Sequence, residues 1–184
     1  FISIYTVYGG ITMQFNRYGN LDGGIVPVNH VGDIYAFFVS DFPNSTTRER
    51  NFNGMLSFFK LLKEGELGNY ITKVWIDGSF TSNKVDPNDI DLIVVLDASP
   101  KNIIKLDTYL TNNWGTIRVE AHNRYCDVYA MFDVETVDPS DVTAYHAFDK
   151  QRKYWMGQFG FDRSMKPKGI IELTNIQEGD DNDA

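Results

Sequence analysis

Residues 75–96 read WIDGSFTSNKVDPNDIDLIVVL, and this stretch decides the fold. An apolar approach ends in Gly78-Ser79, nine residues follow, and then Asp89-Ile90-Asp91 enters a second apolar run. Two carboxylates two residues apart on a strand project from one face. They repel each other there and are costly unless a cation lies between them. A small turn just upstream can offer backbone N–H groups to a phosphate. Taken singly the parts are weak: Gly-Ser pairs usually lie in plain turns, and Asp-x-Asp pairs often cap helices. The order strand, Gly-Ser, loop, Asp-x-Asp, strand is what points to a metal-bound nucleoside triphosphate. A purely structural protein gains nothing from like charges at the mouth of a central apolar strand.

Working outward, Ile71 to Ile76 is expected to be one strand. Asp91 to Leu96, nearly all apolar, is expected to be a central one. Upstream, Thr46 and Glu49 have capping-box spacing. Phe52, Met55, Leu56, Phe59 and Leu62 form a helical apolar stripe that Gly65 and Gly68 end. Residues 13–33 read as an irregular lead-in, and Asp33 to Phe42 as a short apolar stretch of undetermined type. Downstream, Ser99-Pro100 supplies an N-cap and first-turn proline for a helix to about Asn112. Thr116 to Ala121 and Arg124 to Phe132 alternate enough to predict two strands joined by a hairpin at His122-Asn123. Asp138-Pro139-Ser140-Asp141 is expected to open a helix reaching about Trp155, and Gly169 to Leu173 is expected to be a last short strand.

Asp127 lies within RYCDVYAMF, a run where an acid is otherwise out of place. In the pleat it faces opposite to Cys126 and Val128. If this strand neighbours Asp89–Leu96, Asp127 becomes a third carboxylate, with Glu120 the competitor. The segment QFGFDRSMKPK, residues 158–168, concentrates positive charge near the end of an acidic chain. Arg163, Lys166 and Lys168 there are phosphate candidates, as is Lys84. Gly157, Gly160 and Gly169 suggest a loop that closes over a ligand. Nearby Tyr154, Trp155, Phe159 and Phe161 are read as core before base-stacking residues.

The chain has 184 residues, which favours one domain, and a net charge of −8, which argues against broad, sequence-independent nucleic-acid binding. Its single cysteine, Cys126, permits no intrachain disulfide; a reducing, cytoplasmic setting and a core role for Cys126 are expected. His30, His122 and His146 have no ligand spacing. No apolar run is long enough for a membrane span. Residues 1–12 are expected to be extra sequence ahead of a domain spanning 13–173, and residues 174–184 an acidic, disordered tail.

The pattern apolar-Gly78-Ser79, nine residues, Asp89-Ile90-Asp91-Leu92 and a later strand Asp resembles the polymerase-β-type nucleotidyltransferase superfamily. It is closer still to a small prokaryotic family of uncharacterised nucleotidyltransferase-like proteins. That similarity rests on Phe15-Asn16-Arg17-Tyr18-Gly19-Asn20-Leu21, on WIDGSF with Lys84 and Pro87 to Asp91, and on a late block of Trp155, Phe159, Gly160, Arg163 and Lys168 to Ile170. The resemblance implies an α/β (α+β) fold, a short mixed sheet with helices mainly on one face. It implies that Gly78 and Ser79 hold a triphosphate, that Asp89 and Asp91 bind two Mg2+ ions (Mn2+ as an alternative), and that Asp127 shares one of them. The implied activity is transfer of a nucleoside monophosphate from NTP to a hydroxyl on a protein or RNA. A toxin–antitoxin or phage-defence setting, with a toxin or antitoxin partner, also follows from it. The competing expectation is a non-catalytic nucleotide- or partner-binding module on the same fold.

Overall fold

The computed structural model of the chain describes residues 6–8, 11–174 and 176. Its centre is a mixed five-stranded sheet with helices on both faces, a mixed α/β architecture. Two short strands, β1 (Thr6–Tyr8) and β2 (Ile11–Met13), pair antiparallel apart from that sheet. Next come β3 (Ile25–Val28), α1 (Val31–Tyr35), α2 (Arg48–Glu64), β4 (Ile71–Asp77) and β5 (Ile90–Asp97). The remaining elements are α3 (Pro100–His122), β6 (Cys126–Asp133), α4 (Val142–Phe159) and β7 (Ile170–Leu173). The strand order is β3-β7-β4-β5-β6. β4 runs antiparallel to both neighbours, while the β5–β6 and β3–β7 pairs are parallel.

The pleat sorts the strand residues into two layers. Leu92, Val94 and Leu96 of β5, with Val74 and Ile76 of β4, pack against Phe52, Met55, Phe59 and Leu62 of α2 and Leu106, Ile117 and Ala121 of α3. Ile34 of α1 joins the same layer. On the opposite face Trp75, Ile93, Val95 and Met131 meet Phe159 and Trp155 of α4. Three helices therefore lie on one face and one on the other, as the expectation of helices mainly on one face required. β5 is apolar on both sides because it is covered on both sides.

Three local expectations are corrected, and one stretch of undetermined type is decided. Thr116 to Ala121 is not a strand, and there is no hairpin at His122-Asn123: α3 runs unbroken through Asn112-Asn113-Trp114-Gly115 to His122. Leu106, Leu110, Ile117 and Ala121 recur at helical spacing and anchor α3 on the core, which overrides the β-branched alternation of Thr116, Ile117 and Val119. A helix between β5 and β6 also makes their parallel pairing feasible, where a tight hairpin would have forced antiparallel strands. The lead-in over 13–33 contains β3, an edge strand that tolerates Pro27. The stretch Asp33 to Phe42 is helical, α1 continuing into a π-helical turn over Ala36–Ser40. Thr46 does not cap α2: Oγ of Ser45 accepts the Arg48 N–H at 3.1 Å, and Asp86 accepts the Thr46 N–H at 2.7 Å. The expected acidic tail lies almost wholly outside the described residues. Among the described residues no helix is long and apolar enough to cross a membrane.

Candidate functional site

Asp91 is the register partner of Asp77 on β4 and of Asp127 on β6. Three neighbouring strands thus set three carboxylates in a row on one face, at the end of the sheet where β4 stops and β5 begins. Asp89, two residues before Asp91, adds a fourth. These acids line a cleft of about 700 Å³. Most of the sequence-predicted residues border it: Gly78, Ser79 and Lys84 from the loop after β4, Asp89 just before β5, Asp91 and Asp127 from the strands, and Arg163 and Lys168 from the segment after α4; Lys166, the other phosphate candidate, does not. Phe161 and Phe159 border it too, Phe159 being otherwise buried in the α4 layer. Glu120, the competitor for the third carboxylate, is instead paired with Arg124 just beyond the end of its helix.

Crowding shows in the electrostatics. The Asp91 carboxyl is pushed up to about 6, first by burial and then by the charges of Asp89 and Asp127, against the pull of Lys168 and Arg163. Asp77 is more deeply buried and is pushed up to about 7; burial outweighs its ion pair with Lys168, and Asp91 adds to the rise. Asp127 accepts a 2.7 Å hydrogen bond from the Tyr129 hydroxyl, which raises that phenol to about 12, and Arg118 lies 3.6 Å from its other oxygen. Buried Cys126 is pushed up to about 12 by desolvation, an inert core thiol as expected.

The Gly78 turn abuts this row. Gly78 has φ +83, and a Cβ built there would overlap the Asp91 carboxylate, with Cγ only 2.9 Å away. Glycine is therefore required twice, for backbone hand and for space. The loop from Phe80 to Asn88 is clamped by α2. The fully buried Arg48 guanidinium donates to the carbonyls of Phe38, Phe80, Ser82 and Lys84 at 2.6–2.8 Å. Asn51 donates to the Pro87 carbonyl at 2.9 Å. Desolvation lowers Arg48 to about 10, with Asp86 opposing, so it stays charged at neutral pH.

The opening segment Phe15–Leu21 ties the two walls together. Asn83 N–H donates to the Gly19 carbonyl and Leu21 N–H to that of Thr81. On the other side Asn20 Nδ2 donates to Asp162 at 2.9 Å and Asn16 Nδ2 to the Pro167 carbonyl at 2.8 Å. Asp162 in turn accepts the N–H groups of Ser164 and Lys166. The basic segment is thus pinned from several directions, and Gly157, read as a source of loop freedom, lies inside α4.

Asp77, Arg48 and Tyr129 had no role assigned from sequence, and Asn20 figured only within the Phe15–Leu21 block. Only Asp77 carried a usable signal, an acid ending an apolar strand directly before Gly-Ser. Arg48 sits on a helix whose stripe reads as core, and its carbonyl partners are far away in sequence.

A divalent cation suits the donor set by chemistry: carboxylate oxygens only, that of Asp91 raised by burial and then by its like-charged neighbours. As the side chains stand, no three His, Cys, Asp or Glu groups among the described residues form a ready-made cluster.

No curated protein and no solved structure matches the chain. Residues 13–174 match a family model described as a family of unknown function, DUF6932. With the match covering most of its length, the chain belongs to the DUF6932 family.

Proposed function

We propose that the chain is a divalent-metal-dependent nucleotidyltransferase, transferring a nucleoside monophosphate from an NTP to a hydroxyl of a protein or RNA. The observation that carries this reading is the register of Asp91 with Asp127 on adjacent parallel strands, next to the Gly78 turn. Asp89, Asp91 and Asp127 would hold Mg2+, which when bound stabilises charge on the attacking and leaving oxygens. The remaining work falls to the chain itself. Gly78 and Ser79 receive the triphosphate, and Arg163 and Lys84 at the cleft neutralise its charge. Phe161 offers a ring for the base. The acceptor oxygen bonds to the α-phosphorus as the bond to the bridging oxygen breaks, and pyrophosphate leaves with the electron pair. The hydroxyl proton passes to Asp127, whose carboxylate Tyr129 holds in place.

The test is incubation with α-labelled NTPs, Mg2+ or Mn2+ and a cell extract. Transfer of label by wild type, absent with Asp89→Asn/Asp91→Asn, is the expected result; protease or nuclease treatment of the product then identifies the acceptor class. Absence of transfer under every metal and nucleotide, or equal transfer by the double variant, contradicts the reading.

A further inference from the structure

We infer that Asp77 and Lys168 form a positioning pair that fixes the Gly78–Ser79 turn, and that Lys168 serves the cleft through this pair rather than as a free phosphate ligand. Where phosphate is concerned, this rests on the nucleotidyltransferase reading above.

The Lys168 ammonium lies 2.8 Å from Asp77 Oδ2, with side chains 9% and 3% exposed. It also donates to the Gly78 carbonyl at 3.3 Å. The Thr81 hydroxyl stands 3.1 Å from Asp77 Oδ1 and 3.2 Å from the same Gly78 carbonyl. Lys168 therefore holds one Asp77 oxygen and reaches the Gly78 carbonyl, while the single Thr81 hydroxyl proton is shared between the other Asp77 oxygen and that carbonyl. Little of the ammonium is left for an incoming anion. The backbone around Lys168 is held as firmly: its N–H donates to Gly160 at 2.9 Å and the Gly169 N–H to Leu21 at 2.6 Å.

An apolar pair would fill this space without the cost of burying two charges. What the ion pair adds is direction. In a trans peptide the carbonyl and the following N–H point opposite ways. Holding the Gly78 carbonyl on Lys168 and Thr81 thus fixes where the Ser79 N–H points. The pair also joins Asp77 at the end of β4 to Lys168 beyond α4, so the Gly-Ser wall and the basic wall cannot shift independently.

Amide hydrogen exchange on the full chain tests this. Asp77→Asn and Lys168→Met are each expected to speed exchange over residues 78–83 about tenfold or more, with α2 and α3 unchanged. Asp77→Asn/Lys168→Met is expected to exchange no faster than either single variant. Thr81→Val removes one donor without stranding a charge and is expected to loosen the same segment if a charge variant does not fold. Unchanged exchange over 78–83 in the folded variants, or additive loss in the double variant, overturns the pairing. Affinity for Mg2+·ATP on the same proteins separates the two claims. Each single variant is expected to bind about tenfold more weakly and the double no more weakly than that. A further tenfold loss in the double, about 1.4 kcal/mol, would make Lys168 a phosphate ligand in its own right and overturn the inference. Wild type that binds no nucleotide removes the nucleotidyltransferase reading, and exchange alone then decides the pairing.

Discussion

Gly78 and Asp91 occupy space that no larger residue at position 78 can share: a methyl group there would overlap the Asp91 carboxylate. Strand register brings this about. Asp77 and Asp91 are cross-strand partners, so the residue after Asp77 turns directly over Asp91, and its φ of +83 completes the turn. Gly78→Ala should therefore combine about 1–2 kcal/mol of left-handed backbone cost with displacement of Asp91. A lowered melting temperature together with loss of Mg2+·ATP binding is expected; intact binding would mean that Asp91 has room to spare.

Asp91 faces the charges of Asp89 and Asp127, which Lys168 and Arg163 oppose. In metal-free buffer at neutral pH, Asp91→Asn should raise the melting temperature, because it removes a half-buried charge facing Asp89 and Asp127. Adding Mg2+ should stabilise wild type by mass action and leave Asp91→Asn nearly unmoved. Thermal scans with EDTA and with Mg2+ check both halves.

Arg48 is the brace of the Gly78–Asp91 loop. Arg48→Met leaves two buried carbonyls (Phe38, Phe80) and two partly buried ones (Ser82, Lys84) to find other partners, at about 1–3 kcal/mol for each buried one that fails. A loss of at least ~3 kcal/mol in urea unfolding is expected. Arg48→Lys, with three donors and no planar fork, should recover only part of it.

Asp86 links the same loop to the start of α2. Its carboxyl is held below the ordinary range, chiefly by the Thr46 N–H, so its contribution exists above the unfolded-state pKa and disappears as pH falls through the folded one. Asp86→Ala should lower the melting temperature by a constant amount above about pH 5, with the gap closing below about pH 4. A gap that widened in acid would contradict this assignment.

Much of the fold was legible because its signals are local. The α2 stripe, the β5 run and the strand around Asp127 each announce themselves by period and by apolar content. α3 was cut short because Asn112-Asn113 and Gly115 resemble a helix stop, whereas the decisive contacts of Ile117 and Ala121 with the sheet are tertiary. That error bears on function: the hairpin reading would have made the strand carrying Asp127 antiparallel to its neighbour, and the helix makes β5 and β6 parallel partners. The carboxylates of the candidate site were legible because like charges at an apolar strand mouth are locally anomalous. The supports were not: Asp77 needs its distant lysine, Arg48 its distant carbonyls, and Asn20 its tie to Asp162 to have any meaning.

Calorimetric titration with a non-hydrolysable NTP analogue, with and without Mg2+, shows whether the cleft is a metal-dependent nucleotide site. Wild type is expected to bind only with the metal, about a hundredfold more weakly with Asp91→Asn and about tenfold more weakly with Arg163→Ala. Binding that is indifferent to Mg2+ and to Asp91→Asn would contradict this.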